Sequence, residues 1–305
     1  MRISFRQLEY LVAVADAGSI TGAAAVCGAS QAGVSLSLSD LEKRLGVQLL
    51  IRQKAKGVKL TAAGARVVAE GRRLVEAAEE LQASAAAAEH EVSGTLGIGC
   101  YTSLSPFFIP PLLDEFAGRF PALEVHVLEG IADDLLAALR DGRCELALLY
   151  AEDCDAGLTM VPVRTSRPYL ILAADHPLAV RDAIHLADIA DEPLIMFDVP
   201  SARNAVRMLE AVGLTARVRH MSSNIEVVRG LVARGVGYSI LVQRWPADLS
   251  FEGRPIACRS IADPVPERKV VLAWPDGIRL TRRAHTLIDF CCTTMESGSR
   301  LTHTD

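Results

Sequence analysis

No apolar stretch in this chain of 305 residues approaches the length a membrane-spanning helix needs. Charges or glycines interrupt each run well short of about 20 residues. The N-terminal stretch MRISFRQLEYLVAVADAG carries Glu9 and Asp16 and has no small-residue cleavage site, so no secretory leader is expected. The seven cysteines (27, 100, 144, 154, 258, 291 and 292) are odd in number and form no C-x-x-C pair. That argues against a disulfide framework and for reduced cytoplasmic thiols, mostly buried as small hydrophobes. Hydrolase and nucleotidase signatures are missing: there is no G-x-S-x-G, no H-E-x-x-H and no G-x-x-x-x-G-K-[ST]. GTLGIG lacks the third glycine of the dinucleotide fingerprint. None of the seven histidines pairs with Cys or His at metal-ligand spacing. Neither a cofactor nor a metal is expected, and no catalytic residue is assigned.

A different absence is informative. From Lys43 to Ala69 there are seven Lys/Arg and no Asp or Glu, within a chain of 32 basic and 37 acidic residues. Residues 1–66 hold nine Lys/Arg and four Asp/Glu, a balance of +5, which leaves the remainder at −10. A solvated face normally mixes signs. A basic head on an acidic body instead suits a polyanion-binding module joined to something else. The length suggests two or so domains, and with half the residues apolar a sizeable core can be buried.

In FRQLEYLVAVADA, Phe5, Leu8, Leu11, Val12 and Ala15 recur at helical spacing, and Gly18 stops the helix. Ser19 can cap a second helix of small residues, which Gly28 ends. Ser30 caps a third, QAGVSLSLSDLEKRLG, whose Val34, Leu38, Leu41 and Leu45 share one face. Two helices across a tight turn, the second capped and amphipathic, read as a helix-turn-helix. The opposite face of the second helix carries Ala32, Leu36, Ser39 and Lys43, with Gln31 and Ser35 at its N-terminal shoulder. Those positions, with the cap Ser30, are the candidates to meet base edges. VQLLI and GVKLT can then form a hairpin with QKAKG at its tip. Arg52, Lys54 and Lys56 make it a wing that can grip phosphate, where an acid would repel the backbone. Thr61 caps a long proline-free helix. Its Val67, Gly71, Leu74, Ala78, Leu81, Ala85 and Ala88 follow a heptad repeat, which suits pairing with a second copy or packing on the chain itself.

From Gly94 strand and helix patterns alternate, which predicts an α/β body with a largely parallel sheet. Ligands of such sheets sit beyond the carboxyl ends of strands, near helix N-termini. Cys100, Tyr101, Thr102 and Ser103 lie at such a place, after the first body strand. The stretch FDVPSARN repeats it, with Phe197, Ser201 and Arg203. The hydroxyls can bind a ligand, cap helices or do both; Arg203 can pair with a carboxylate or face solvent. Hydroxyls and helix-start amides favour an anionic or strongly polar ligand, whereas Phe197 suits an apolar pocket.

The pattern S-Q-x-x-V-S…L-E-x-x-L-G-x-x-L…R…L-T-x-x-G stands here as Ser30, Gln31, Val34, Ser35, Leu41, Glu42, Leu45, Gly46, Leu49, Arg52, Leu60, Thr61 and Gly64. DHPLA at 175–179 and GLVARGVGYSIL at 230–241 accompany it. With these the chain resembles the LysR-type transcriptional regulators over nearly all its length. The resemblance implies a winged helix-turn-helix over 1–61, a linker and dimerisation helix over 62–91, and a periplasmic-binding-protein-like effector domain over 92–305. The chain would pass twice between two α/β lobes, lobe I at 92–163 and 269–296, lobe II at 164–268. It also implies homodimers or homotetramers in the cytoplasm, binding to double-stranded promoter DNA with dyad symmetry, RNA polymerase as a partner, and a small-molecule effector between the lobes. The family often has Pro at the position of Ala32, Arg or Gln at Leu36, Leu at Cys27 and Phe at Leu50. Leu36 removes a donor to base or phosphate. The peroxide-sensing branch uses two cysteines close together in the second lobe, whereas Cys258 stands alone between 164 and 268. Three readings follow: an effector-responsive regulator, a thiol-based redox sensor on the same scaffold with Cys100 at the cleft mouth, and an enzyme using the α/β body.

Overall fold

A computed structural model describes residues 3–53, 57–86, 92–199 and 203–295. The head begins with α1 (Phe5–Ala17), α2 (Ile20–Val26) and α3 (Gln31–Leu45). Each start is fixed by a serine. Ser4, Ser19 and Ser30 accept from the backbone N–H groups of Gln7, Gly22 and Gly33, which would otherwise be orphaned. Gly18 and Gly46 end α1 and α3 in the left-handed conformation. Leu11, Val14, Ala23, Ala24, Val34, Leu38 and Leu41 close the core between the three helices.

The wing is an antiparallel pair, β1 (Leu50–Gln53) and β2 (Gly57–Leu60), in register Leu50 to Leu60. The first strand begins three residues later than the expected VQLLI and ends two later, since Val47 N still donates to Glu42 O at the end of α3 and the amides of Leu49 and Leu50 donate to Glu42 Oε1 at 2.7 and 3.0 Å. Thr61 Oγ1 donates to Gln48 O at 2.8 Å and accepts from Gly64 N at 2.9 Å, so it starts α4 (Ala62–Ala86) while holding the wing's base. Gly64 is obligatory here, since a Cβ would sit 2.1 Å from Leu49 O. The motif residues Glu42, Thr61 and Gly64 thus form one junction between α3, wing and linker helix.

On α4, Val68 joins the head core and Gly71 lies against Leu8 and Val12 of α1. The proximal part of the heptad stripe therefore packs within its own chain. Further along, Leu74 is 51 % and Leu81 70 % exposed. Ala88 lies outside the described residues.

The body has one five-stranded sheet in its first lobe and a four-stranded and a two-stranded sheet in its second. In the first, β4 (Leu123–Gly130), β3 (Gly94–Tyr101), β5 (Leu146–Tyr150), β13 (Arg268–Pro275) and β6 (Leu158–Ser166) lie in that order. Strand β3 is parallel to β4 and β5, while β13 runs antiparallel to β5 and β6. Helices α5 (Ser105–Arg119), α6 (Ala132–Arg140) and α9 (Arg282–Phe290) complete this lobe. In the second, β7 (Tyr169–Ala173) lies between β11 (Ser239–Leu241) and β12 (Ile256–Ile261), antiparallel to both, with β8 (Ala183–Ile184) at the edge. Strand β9 (Leu194–Phe197) pairs in parallel with β10 (Val218–Ser222), and its Leu194 bridges to Tyr238 beside β11. Helices α7 (Arg203–Ala211) and α8 (Ile225–Ala233) belong here. The sheets are therefore mixed rather than largely parallel. The two connections between lobes return strands against their neighbours, which alternation of elements does not reveal. Arg268 pairs with Ser166, so β6 and β13 stay in the first sheet over residues expected in the second lobe. The crossings fall at 167–168 and 262–267.

Replacing Gly64 with alanine should open the head–linker junction. The expected loss is roughly 1–3 kcal/mol of local stability, as for overpacked sites. Hydrogen exchange at the amides of Leu49, Leu50 and Thr61 checks it, against unchanged protection in β7 and β12.

Candidate functional site

One candidate surface is the outer face of α3. Val34 on the inner face is fully buried, while Leu36 on the outer face is 75 % exposed. Gln31, Ala32, Ser39 and Lys43 are exposed beside it, and Ser30 and Ser35 flank them. Arg52 reaches from β1 to this face. Its Nη1 donates to Ser35 Oγ at 3.0 Å and its Nη2 to Ser39 Oγ at 2.9 Å. Three residues singled out from sequence are thus joined: the guanidinium fixes both hydroxyls and keeps its charge on an exposed surface. The two acids of α3 are engaged elsewhere. Asp40 accepts from Arg44 Nε at 2.6 Å and Gln7 Nε2 at 3.0 Å, and Glu42 holds the wing amides. Neither carboxylate confronts an incoming polyanion without a partner. Lys54 and Lys56 lie outside the described residues.

The second candidate is a cavity of about 360 Å³ between the lobes. Thr102, Ser103, Pro106, Phe107, Tyr150 and Arg268 line it from the first lobe; Phe197, Asn204, Met208, Ile240, Gln243 and Trp245 line it from the second. Across it Phe107 of the first lobe and Trp245 of the second meet edge to face, with 5.0 Å between ring centroids. The buried Arg229 stacks on Trp245, 4.6 Å from the ring centroid. At the back, Tyr169 Oη donates to Gln243 O at 3.0 Å, and Gln243 Nε2 donates to Tyr150 Oη at 3.4 Å. Burial is the main cause that raises the Tyr150 pKa, so the phenol stays protonated and neutral. Arg268 is 5 % exposed, with Nε 3.5 Å from Glu152 Oε1 and its guanidinium 4.9 Å from the Tyr150 centroid.

Of the residues named from sequence, Thr102, Ser103 and Phe197 line the cavity. Helix α5 takes Leu104 as its N-cap without a side-chain bond, so neither hydroxyl caps it. Thr102 Oγ1 instead donates to Gly130 O at 3.1 Å. Ser201 and the side chain of Arg203 lie outside the described residues.

Cys100 and Tyr101 require correction. Both are fully buried in the first lobe's core, Tyr101 edge to face with Tyr150 at 5.8 Å. Strand β3 continues through Tyr101, and the chain reaches the cleft only at Thr102. Burial pushes the Cys100 thiol up to about 12, so at neutral pH the nucleophilic thiolate is scarce. It is not a thiol at the cleft mouth. Of the two characters the sequence leaves open for the cleft, the apolar one that Phe197 suits prevails in the wall, most of which is aromatic and aliphatic. Sequence reasoning missed Tyr150, Gln243, Trp245 and Arg268. Tyr150 ends a strand, a signal that could have found it; the other three depend on how the crossings bring the lobes together.

Two family models match this chain. Residues 5–65 match the bacterial regulatory helix-turn-helix protein, lysR family, and residues 89–296 match the LysR substrate binding domain. The HTH-type transcriptional regulator YvbU of Bacillus subtilis is 28% identical over 277 residues, 90% of this chain and 92% of that protein. The DNA-binding transcriptional dual regulator OxyR of Escherichia coli is 29% identical over 290 residues, 94% of each chain. Among solved structures, HinK, a LysR family transcriptional regulator from Pseudomonas aeruginosa, matches with a TM-score of 0.65 at 31% identity, covering 96% of this chain and 99% of that one. An amphipathic α3 behind a basic wing and a cavity between two α/β lobes occupy the two matched regions, and the chain belongs to the LysR family of DNA-binding transcriptional regulators, with a helix-turn-helix head and an effector-binding body.

Proposed function

We propose that α3 reads operator DNA in the major groove while the wing grips phosphate, and that a small molecule held between the lobes controls this binding. The observation that carries the reading is the separation of the two surfaces. The exposed face of α3 with Arg52 lies on one module, and a cavity between two lobes lies in another. Gln31, Ala32 and Leu36 face the bases; Ser35 and Ser39 are held by Arg52, which with Lys43, Lys54 and Lys56 supplies charge to the backbone. Thr102, Ser103, Phe197, Ser201 and Arg203 contribute to the effector site, together with Tyr150, Gln243, Trp245 and Arg268. The head comprises 1–61 and the linker 62–91, with lobe boundaries at the two crossings.

Two copies pair through α1 and α4. Ile3, Phe5, Leu8, Leu45, Val67, Gly71 and Leu74 line an open apolar groove, and Leu81 extends its line along the helix. A dimer that places two α3 helices on one face of DNA fits an operator with dyad symmetry. The protein acts in the cytoplasm, where promoter DNA and RNA polymerase are, and it is a regulator rather than an enzyme. No described helix is long and apolar enough to cross a membrane.

Thiol-based sensing is disfavoured, although several relatives are named hydrogen peroxide-inducible genes activators. Burial is the main cause that pushes Cys144 and Cys291 up to about 12 and Cys258 up to about 11. A raised thiol pKa leaves the neutral form dominant below it, so reactivity should grow only as pH climbs toward these values. In the native protein at neutral pH, Cys100, Cys144 and Cys291 should resist alkylation, and peroxide should leave operator binding unchanged. Mass spectrometry of alkylated peptides alongside an operator-binding assay tests both; rapid loss of binding on oxidation of any of these thiols would sink this reading.

Leu36→Ala should leave thermal stability intact and lower discrimination at one base pair of the half-site by about 1 kcal/mol, through loss of a thymine-methyl contact. Lys43→Ala should weaken specific and random DNA alike and flatten the slope of log K against log salt by up to about 0.9. Competition binding across operator variants and salt separates the two effects.

Thr102→Tyr should fill the cavity and abolish the effector response while operator binding persists. Promoter output in cells grown on varied carbon sources, with the variant in place of the wild type, reads this. A variant that still responds normally places the effector elsewhere.

A further inference from the structure

We propose that the cavity between the lobes takes an uncharged, largely apolar ligand bearing one hydrogen-bond-accepting head. This rests on reading that cavity as the effector site and adds the chemistry of its occupant. Phe107, Phe197, Met208, Ile240 and Trp245 supply the greater part of the wall, and covering such surface drives binding without directional demands. Thr102, Ser103, Tyr150, Asn204, Asn224 and Gln243 add hydroxyls and amides, none of them charged.

Arg268 is the one cation in the described lining, and its charge is already answered. Glu152 Oε1 stands 3.5 Å from its Nε, and the guanidinium covers the Tyr150 ring. The carboxyl of Asp153 lies in the same field: burial raises its pKa and Arg268 opposes that rise. A ligand carboxylate would set a further anion against the one described cation, which Glu152 already faces. Its own desolvation would then go uncompensated.

The site still asks for one polar partner. Arg268 Nε is buried without a hydrogen bond, and the Ser103 hydroxyl, which interacts with that of Tyr150, lines the same cavity. Buried polar groups normally find partners, and leaving one unmade is costly. A carbonyl or ether oxygen at the first-lobe end of the cavity can accept from both Arg268 and Ser103 without bringing charge. The remainder of the molecule then lies against Phe107, Phe197 and Trp245.

The test uses full-length protein carrying Trp274→Phe, so that Trp245 alone reports by fluorescence, with thermal stabilisation as a second readout. Two matched probe series are titrated: benzamide, benzoate and phthalate, and hexanamide, hexanoate and adipate. The amides should bind at least about tenfold more tightly than the monocarboxylates, and the dicarboxylates should bind weakest. Glu152→Gln frees Arg268 and should shift the preference toward the monocarboxylates. Carboxylates that equal or surpass their amides in the unaltered cavity would overturn the proposal, as would amides that fail to bind below about 10 mM. The same titrations on Thr102→Tyr and on Ala205→Leu, a second lining position on α7, separate the two readings. Amide binding that survives both would show that the ligand sits outside this cavity, whatever its charge.

Discussion

The body depends on one short segment, Val242–Gln243, which belongs to neither lobe alone. It leaves β11 of the second sheet, yet Val242 packs against the first lobe's core. Gln243, only 6 % exposed, accepts from Tyr169 of the second lobe through its carbonyl and donates to Tyr150 of the first through its amide. With its backbone carbonyl tied to one lobe and its side-chain amide to the other, Gln243 holds the lobes at this spacing, because breaking either bond would strand a polar group. The cavity is what that spacing leaves open. Phe107 and Trp245 then meet across the gap, and Arg229 stiffens Trp245 from behind. The same Tyr150, Gln243 and Trp245 that join the lobes also line the cavity.

In the head, the corresponding constraint is the placement of negative charge. A DNA-facing surface works only where carboxylates are absent or engaged. Residues 43–69 contain none, and the two acids on α3 are turned to internal work, Asp40 with Arg44 and Gln7, Glu42 with the wing amides. Arg52 links the wing to α3 through Ser35 and Ser39, so these two elements hold a common geometry. The Glu42–Leu49–Thr61–Gly64 junction carries this arrangement into the linker helix.

The head is legible in the sequence because its information is local. Serine caps, left-handed glycines and the Val34/Leu38/Leu41 face act within a few residues of themselves, and the structure bears out each. The exposed Leu36 follows from helical periodicity alone. Thr102, Ser103 and Phe197 are found by the rule that ligands gather beyond strand ends. Cys100 and Tyr101 fall on the wrong side of that rule by a residue or two. At a strand end, alternation no longer distinguishes a buried side chain from one at the rim.

What the sequence by itself determined was therefore the set of modules and their chemistry: a basic capped helix-turn-helix, a long helix, an α/β body and the absence of catalytic signatures. Local propensity, periodicity and the sign of charge suffice for those. Only the tertiary structure decided the mixed strand order, the two crossings at 167–168 and 262–267, and the cavity wall built from Tyr150, Gln243, Trp245 and Arg268. Those residues are separated by up to 118 positions, from 150 to 268, and no periodicity spans such a distance. They meet because two lobes, each burying its own apolar core, are held together by strands that return from one to the other. The character of the cleft follows from that meeting: it is apolar because the ends of two cores face each other across it, and its one described cation is neutralised by Glu152, a neighbour in space rather than in sequence.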